Sequence, residues 1–221
     1  MHKNPRIGSY EYYERLYEVE EKHWWYIGIH EVAARILNSH YRGMKNLSIL
    51  DARCGTGFTL TWLERYTLPK QAVGIDLSWH AFQFCRRREQ RLLSQASVME
   101  LSFKNGLFDL VVCKAVIQHL PRKGSDKTAL REFYGVLKPG GCLLLLTNSS
   151  QGIGKGAKSV DEKYRMYSPD EVRDKVLEAG FHTLKLTCAN ALMSVIPTIR
   201  RYLKHRKNQV YHRQGLPNRR P

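Results

Sequence analysis

The chain has 221 residues, of which 43% are hydrophobic and 25% are charged, and its formal net charge is +16. This length and composition are typical of one globular domain, alone or with an appendage, that folds without disulfide or metal cross-links. The sequence contains no apolar run long enough to span a bilayer, and its first 25 residues lack the apolar segment of a secretory signal. Its five cysteines are widely spaced and form no CxxC pair, which favours a reduced cytoplasmic protein.

The positive charge is concentrated at the C-terminal end. No Asp or Glu follows Glu178, whereas nine Lys or Arg residues do, so the last 43 residues carry +9 and the first 178 carry +7. Apolar residues at helical spacing over 191–203 predict an amphipathic helix followed by a basic tail. This segment either packs on the domain or meets an anionic membrane surface or nucleic acid. A second basic cluster, at Arg86–Arg88 and Arg91, is interpreted as the solvated end of a helix.

The first 42 residues predict a helical extension. A helix is expected over 9–22 with Ser9 as its N-cap, and a second over 29–41. Between them, Trp24 and Trp25 belong to an aromatic cluster with the neighbouring tyrosines. Two interpretations stay open: the rings pack the extension against the sheet, which we favour for the two tryptophans, or they form a lid over a ligand.

Residues 43–190 alternate predicted strands and helices. The predicted strands are 47–51, 72–76, 95–99, 108–113, 142–147 and 181–189. The predicted helices are 58–66, 78–93, 126–137 and a last one from Ser168 to a C-terminal glycine at Gly180. This alternation predicts an α/β fold with a doubly wound, mostly parallel sheet and helices on both faces. The expected organisation is therefore an extension (1–42), a ligand-binding domain (43–190) and a basic C-terminal helix and tail (191–221).

Acidic residues and glycines lie where ligands bind in such sheets, at the carboxyl ends of the strands. Asp51 ends the first strand and is followed by Gly55 and Gly57, a turn that lets a ligand approach the backbone. Asp76 ends the second strand, and a carboxylate there can accept hydrogen bonds from both hydroxyls of a ribose. Leu60 stands where a dinucleotide fingerprint needs Gly or Ala, so the pattern predicts a nucleoside without a pyrophosphate.

Several motifs in order along the chain resemble those of one family, the class I S-adenosylmethionine-dependent methyltransferases with a type 11-like domain. The motifs are ILDARCGTG (49–57), GIDLS (74–78), FDLVV (108–112), REFYGVLKPGG (131–141) and YSPDEVRDKVLEAGF (167–181). The resemblance covers about residues 10–200 and implies a Rossmann-like fold with S-adenosyl-L-methionine as the cofactor.

The resemblance also implies roles for individual residues. The implied cofactor-binding residues are Asp51, Ala52, Arg53, Gly55, Gly57, Asp76, Leu77, Ser97, Val98 and Lys114. The first strand end would hold the methionine portion, Asp76 the ribose, Leu77 with Ser97 and Val98 the adenine, and Lys114 would lie under the sulfonium.

His119 would lie near the acceptor as a general base. Two residues depart from the family pattern: Arg53 replaces the usual glycine, and Ser97 replaces a frequent acid. Both departures point to weaker cofactor binding.

The implied activity is methyl transfer to a small-molecule, glycan or lipid acceptor, without a metal. Two alternatives stay open. An RNA methyltransferase is supported only by the charge, and a non-catalytic binding protein would use the same fold without transfer. The expected location is the cytoplasm, with peripheral membrane contact through the tail, and the sequence does not predict an oligomeric state.

Overall fold

The computed structural model describes residues 5–120, 124–149 and 165–188. The helices are α1 (Tyr10–Val19), α2 (Trp24–Tyr41), α3 (Phe58–Leu63), α4 (Trp79–Arg87), α5 (Ser125–Val136) and α6 (Pro169–Glu178), with a short 3-10 helix at Ile117–His119. The strands are β1 (Ile49–Ala52), β2 (Val73–Asp76), β3 (Leu93–Gln95), β4 (Phe108–Lys114) and β5 (Leu137–Leu146).

The five strands form one parallel sheet in the order β3-β2-β1-β4-β5. From β1 the chain moves outward through β2 to β3, then crosses to the other side of β1 to form β4 and β5. The strand order therefore reverses between β1 and β4, and ligands bind such sheets in the crevice at that point. The predicted doubly wound, mostly parallel sheet is confirmed.

Apolar side chains cover both faces of the sheet, as the short continuous apolar strands predicted. On one face, Leu110 and Val112 belong to a buried cluster with Leu37 of α2. On the other, Val111 packs in a cluster with Phe133 of α5. Because side chains alternate between faces along a strand, Asp51 and Lys114 fall on the α2 face.

Two predicted helix starts are confirmed by their caps. The Ser9 hydroxyl accepts from the amide of Tyr12 at 3.3 Å, and the Ser168 hydroxyl accepts from the amide of Glu171 at 3.1 Å. Each cap satisfies one of the unpaired amides of the first helical turn.

The second helix begins five residues earlier than predicted. The ring Nδ1 of His23 accepts from the amide of Trp25 at 3.2 Å and caps α2 there, so the aromatic cluster lies in its first turn. Histidine is not among the residues that usually mark an N-cap, and the start was missed for that reason. Trp24 is 52% exposed and Trp25 is 39% exposed. Packing against the sheet is therefore the wrong interpretation for this pair, although it holds for Tyr13, which is buried.

The predicted helix 78–93 is too long, because α4 ends at Arg87. Glu89 adopts a left-handed conformation with φ of +62°, and the amide of Gln90 donates to the carbonyl of Cys85 at 3.0 Å. Glu89 therefore ends the helix in the way that a glycine after the last helical turn usually does. A glutamate in a sequence does not predict a helix end, so the early stop was not expected.

The last two predicted strands differ from the structure. The predicted turn at 138–141 lies inside β5 as a bulge, since Phe108 pairs with Leu137 but Leu110 pairs with Cys142. Residues 181–188 form no strand, so the predicted strand 181–189 is wrong over the part that the structure describes. The residues there alternate in polarity, but a strand also needs a neighbouring strand with which to form backbone hydrogen bonds. Phe181 instead packs edge-on against Tyr134, with ring centroids 5.2 Å apart.

The predicted C-terminal helix and tail, 191–221, lie outside the described residues. Within the described ranges, no helix is both long enough and apolar enough to cross a bilayer.

Candidate active site

Three charged side chains lie at the carboxyl ends of three neighbouring strands. Asp76 ends β2, Asp51 lies on β1 and Lys114 ends β4. All three belong to the face covered by the N-terminal helices, at the point where the strand order reverses. The structure thus brings together residues that the sequence placed at separate strand ends.

The Asp76 carboxylate joins α1 and the glycine turn to the end of β2. Its Oδ2 accepts from the amide of Gly55 at 3.1 Å, and its Oδ1 accepts from the amide of Ser78 at 2.9 Å. The Tyr13 hydroxyl of α1 donates to the same Oδ1 at 3.0 Å. Burial and the Asp76 charge raise the pKa of Tyr13, so its hydroxyl stays a protonated donor. Oδ1 thus accepts two hydrogen bonds and Oδ2 accepts one among the described residues, so a ribose hydroxyl can bind Oδ2 directly and reaches Oδ1 only by displacing Tyr13 or sharing with it.

Asp51 and Lys114 lie on the same face of neighbouring strands, and the charge of each acts on the pKa of the other. Asp51 is 1% exposed, and its Oδ2 has no hydrogen-bond partner among the described residues. Burial raises the pKa of Asp51, and the Lys114 charge opposes that shift. Burial lowers the pKa of Lys114, opposed by the charges of Asp51 and Glu20.

His30 of α2 also belongs to this site, although the sequence analysis did not select it. Its Nε2 lies 2.7 Å from the Lys114 Nζ, which also donates to the Thr59 hydroxyl at 3.0 Å. Burial first, and the Lys114 charge second, lower the pKa of His30 to about 3. The ring is therefore neutral near pH 7, and its Nε2 can accept from the ammonium. The one available signal was a histidine beside Ile29 on the apolar face of α2.

We expect the buried His30 to make the protein sensitive to mild acid. The ring binds a proton at about pH 6.5 in the unfolded chain but only near pH 3 in the folded one. The contribution of His30 to the free energy of unfolding is therefore fully present above about pH 6.5. It decreases as the pH falls toward 3, by about 2 kcal/mol at pH 5. Urea unfolding from pH 7.5 to 4.5 should give a shallower decrease for His30→Gln than for the wild type. Parallel curves would contradict this prediction.

Arg53 follows β1 in a strained conformation. Its φ is +144°, in the region that favours glycine, and its Nη1 donates to the carbonyl of Ala115 at 2.7 Å. A glycine would adopt this conformation without strain, whereas here the position carries a cation.

The residues predicted to contact adenine lie at and beyond the ends of β2 and β3. Leu77 is 67% exposed, and Val98 is buried. The Ser97 hydroxyl accepts from the amide of Met99 at 3.2 Å, which leaves it a second lone pair. Their contact with adenine stays a prediction.

His119 lies in the 3-10 helix that follows β4. Burial, together with the Arg53 charge, lowers the pKa of His119 to about 4, so its ring is neutral near pH 7. A neutral imidazole is available to accept a proton, but the lowered pKa makes it a weaker base than an exposed histidine.

An ion-pair cluster fastens the N-terminal extension over the site. Arg88 pairs with Glu20 at 3.0 Å and also with Glu21, just beyond α1. The Thr56 hydroxyl of the glycine turn donates to Glu20 as well. Only 9% of the Arg88 side chain is exposed, so the solvated interpretation of the basic cluster is wrong for this residue. The charge run alone could not show that α1 brings acidic partners to it.

The domain at these strand ends matches a known family. Residues 50–145 match the family described as "Methyltransferase domain". This match covers β1 to β5 and includes Asp51, Asp76 and Lys114. This part of the chain is therefore similar to the class I S-adenosylmethionine-dependent methyltransferases. The cofactor of this family is S-adenosyl-L-methionine.

Two curated relatives illustrate the range of the family. The chain is 33% identical over 112 residues to a demethylmenaquinone methyltransferase of Lactiplantibacillus plantarum, covering 47% of this chain and 46% of the relative. It is 29% identical over 140 residues to a malonyl-[acyl-carrier protein] O-methyltransferase of Legionella pneumophila, covering 61% of this chain and 45% of the relative. The chain thus spans about half the length of the curated relatives that it matches.

The fold recurs in solved methyltransferase structures. One is a chain of the complex between the Trm112 methyltransferase activator of Haloferax volcanii and a methyltransferase, with a TM-score of 0.61 and 19% identity. The superposition covers 79% of this chain and 75% of that one. At this identity the likeness shows the fold alone.

The methyltransferase cofactor fits the residues present at the strand ends. Its α-ammonium group matches the buried Asp51 Oδ2, which lacks a donor within the described part of the chain. A Cβ built on Gly55 would meet no atom within 4 Å, so there is room for a ligand against this turn. No cluster of three or more His, Cys, Asp or Glu residues suited to a metal ion occurs among the residues described.

Proposed function

We propose that this protein is an active methyltransferase that transfers a methyl group from S-adenosylmethionine to a small-molecule acceptor. The observation that carries the proposal is the convergence of Asp51, Asp76 and the glycine turn at the switch point of the sheet. One carboxylate suits a ribose, and the other suits an ammonium group.

The residues of the site would bind and align the reactants. The cofactor supplies an electrophilic methyl group when it is bound. Asp76 would accept from the ribose hydroxyls, Asp51 would accept from the ammonium, and Gly55 would let the backbone approach the ligand. Such alignment converts a bimolecular reaction into an effectively unimolecular one and is a large source of rate enhancement.

His119 is the residue we propose as the general base. It is half-buried in the turn that follows β4, and burial keeps its ring neutral near pH 7. The neutral ring can accept a proton, but a pKa of about 4 makes it a weak base, so the role suits an oxygen or nitrogen acceptor that loses its proton readily. A carbon or oxygen acceptor that is already ionised would not need it.

The acceptor class is inferred from the relatives. Two relatives are named for methylation of demethylmenaquinone and for O-methylation of malonyl-[acyl-carrier protein]. Both support a small or lipid-type acceptor for this chain. An RNA acceptor keeps only the basic charge in its favour, and that charge is concentrated after Glu178.

Calorimetric titration with S-adenosylmethionine and S-adenosylhomocysteine tests the proposal. We expect one site per chain with micromolar affinity for both. Purified protein with S-adenosylmethionine and separate pools of quinols, acyl carboxylates, glycans and RNA should then release S-adenosylhomocysteine with the first two. Absence of cofactor binding at millimolar concentration would refute the proposal. Binding without turnover on any pool would favour the non-catalytic alternative, and turnover on RNA alone would favour the nucleic-acid one.

We expect Arg53→Gly to bind S-adenosylmethionine several-fold more tightly than the wild type. The substitution removes a cation beside a positively charged cofactor and relieves the φ of +144°. Loss of the bond to the Ala115 carbonyl offsets part of the strain relief, so stability should change by no more than about 1 kcal/mol.

The matched variant is Arg53→Ala, which removes the charge but keeps the strained backbone. It should give most of the gain in affinity together with a lower melting temperature than Arg53→Gly. Equal affinities for the wild type and both variants would show that Arg53 does not face the ligand.

A further inference from the structure

Arg53 links the ends of two neighbouring strands at the point where the strand order reverses. It follows β1, and its Nη1 donates to the carbonyl of Ala115, the residue that follows β4, at 2.7 Å. The guanidinium therefore lies at the crevice in which such sheets bind their ligands. The side chain is half-buried, so part of it stays accessible from that crevice.

Most of the hydrogen-bonding capacity of this guanidinium is unused. An arginine side chain carries five N–H donors, and the Ala115 carbonyl accounts for one of them. No carboxylate in the described part of the chain forms an ion pair with Arg53. Arg88, in contrast, pairs with both Glu20 and Glu21. Arg53 is therefore a cation at a ligand site without a counter-charge among the described residues.

The backbone fixes both ends of the link between Arg53 and Ala115. Arg53 has a φ of +144° and Ala115 has a φ of +54°, conformations that cost energy in residues other than glycine. The amide of Cys54, next to Arg53, donates to the Ile75 carbonyl at 2.8 Å. The amide of Ala115 donates to the Leu146 carbonyl at 2.9 Å. A cation that is fixed before a ligand arrives loses little conformational entropy on binding.

The chemistry around Arg53 favours an anionic methyl acceptor. His119 lies in the 3-10 helix beyond Ala115, and the Arg53 charge helps to lower its pKa to about 4. Such a weak base suits a methyl acceptor that is already ionised, and a neighbouring cation stabilises that ionised form. The planar guanidinium also matches a carboxylate, to which it can donate two parallel hydrogen bonds.

We propose that Arg53 binds an oxyanion of the methyl acceptor, which is therefore a carboxylate or an ionised phenol or enol. This inference rests on the proposed function and narrows its acceptor class. It gives Arg53 a role on the acceptor side of the site, whereas the family resemblance implies contact with the cofactor. The cation that opposes binding of a positively charged cofactor thus selects the reaction partner.

The experiment is calorimetric titration of the full chain, saturated with S-adenosylhomocysteine, with pairs of probes that differ in charge. 2-Naphthoate and 2-naphthamide have nearly the same shape, but only the first is anionic. 4-Nitrophenolate and nitrobenzene form the corresponding pair for an ionised phenol. For the wild type, we expect the anionic member of at least one pair to bind at least tenfold more tightly than the neutral member. The pair that shows this preference identifies the oxyanion as a carboxylate or a phenolate.

The first variant is Arg53→Gly, with Arg65→Ala as the matched control. Arg65 also donates to a backbone carbonyl, that of Trp62 at 3.2 Å, but it lies beyond the C-terminal end of α3. Arg53→Gly should bind both members of each pair equally, and its binding of S-adenosylhomocysteine shows that it is folded. Arg53→Lys keeps the charge but loses the planar fork, so it should retain part of the preference. Arg65→Ala should keep the wild-type preference.

Three results would overturn the inference while leaving the proposed function intact. Wild-type protein that binds S-adenosylhomocysteine but binds neither anion more tightly than its neutral partner has no oxyanion site. An unchanged preference in Arg53→Gly would mean that another cation holds the anion. Weaker binding of S-adenosylhomocysteine by Arg53→Gly than by the wild type would place the guanidinium against the cofactor carboxylate. If the wild type did not bind S-adenosylhomocysteine at all, the proposed function would fail together with this inference.

Discussion

Asp76→Asn is expected to lower the affinity for S-adenosylmethionine at least 100-fold. The carboxylate has two roles, because it would accept from the ribose and it already fixes the glycine turn through the Gly55 amide at 3.1 Å. An asparagine places an NH₂ group where one carboxylate oxygen stood, and two donors then face each other. Hydrogen bonds to a charged group contribute about 1.5–3 kcal/mol each, so losing one or two accounts for the expected decrease.

The control for this prediction is Asp109→Asn. Asp109 lies near the start of β4, at the other end of the sheet, where it accepts from the Ser48 amide and pairs with Lys138. Both substitutions remove one buried or half-buried carboxylate, so both should lower the melting temperature. Only Asp76→Asn should change the calorimetric affinity. If the two variants bound the cofactor equally well, Asp76 would have a structural role alone.

The sequence was sufficient to predict the part of the site that lies on the sheet. Short apolar strands that end in an acid predict both the parallel sheet and the edge where ligands bind, and the family resemblance adds Lys114. Asp51, Asp76 and Lys114 lie there because their positions follow from strand register, which the alternation of buried side chains fixes. The glycine turn could be predicted as well, because Gly55 and Gly57 directly follow the first strand in the sequence.

The part of the site that comes from the helices could not be predicted in this way. Tyr13 and His30 reach the strand ends only because α1 and α2 dock on the sheet, and no local pattern specifies that contact. The burial of Arg88 had the same origin, since its partners at Glu20 and Glu21 are 67 or more positions away in the chain. Long-range pairing of this kind is decided by tertiary packing, which overrides what a charge run suggests by itself.

The two glycines of the turn are expected to fail in different ways when each is replaced by alanine. Gly57 has a φ of +85° and caps α3, and a Cβ there would lie 3.1 Å from the Cα of Cys85 on α4. Because the obstacle is backbone, α3 and α4 would have to separate. We expect Gly57→Ala to reduce the free energy of unfolding by about 2–4 kcal/mol, from the strained φ and the overpacking together.

Gly55→Ala provides the contrast within the same turn. Gly55 has a φ of +54°, close to the left-handed region that other residues occupy at moderate cost, and its Cβ would meet no atom within 4 Å. We expect the free energy of unfolding of Gly55→Ala to lie within about 1–2 kcal/mol of the wild-type value. We also expect this variant to bind S-adenosylmethionine at least tenfold more weakly, because the new methyl group enters the space proposed for the ligand. Urea unfolding and calorimetry on both variants separate the two effects. Tight cofactor binding by Gly55→Ala would place the ligand elsewhere, and a fully stable Gly57→Ala would show that α3 and α4 can separate at little cost.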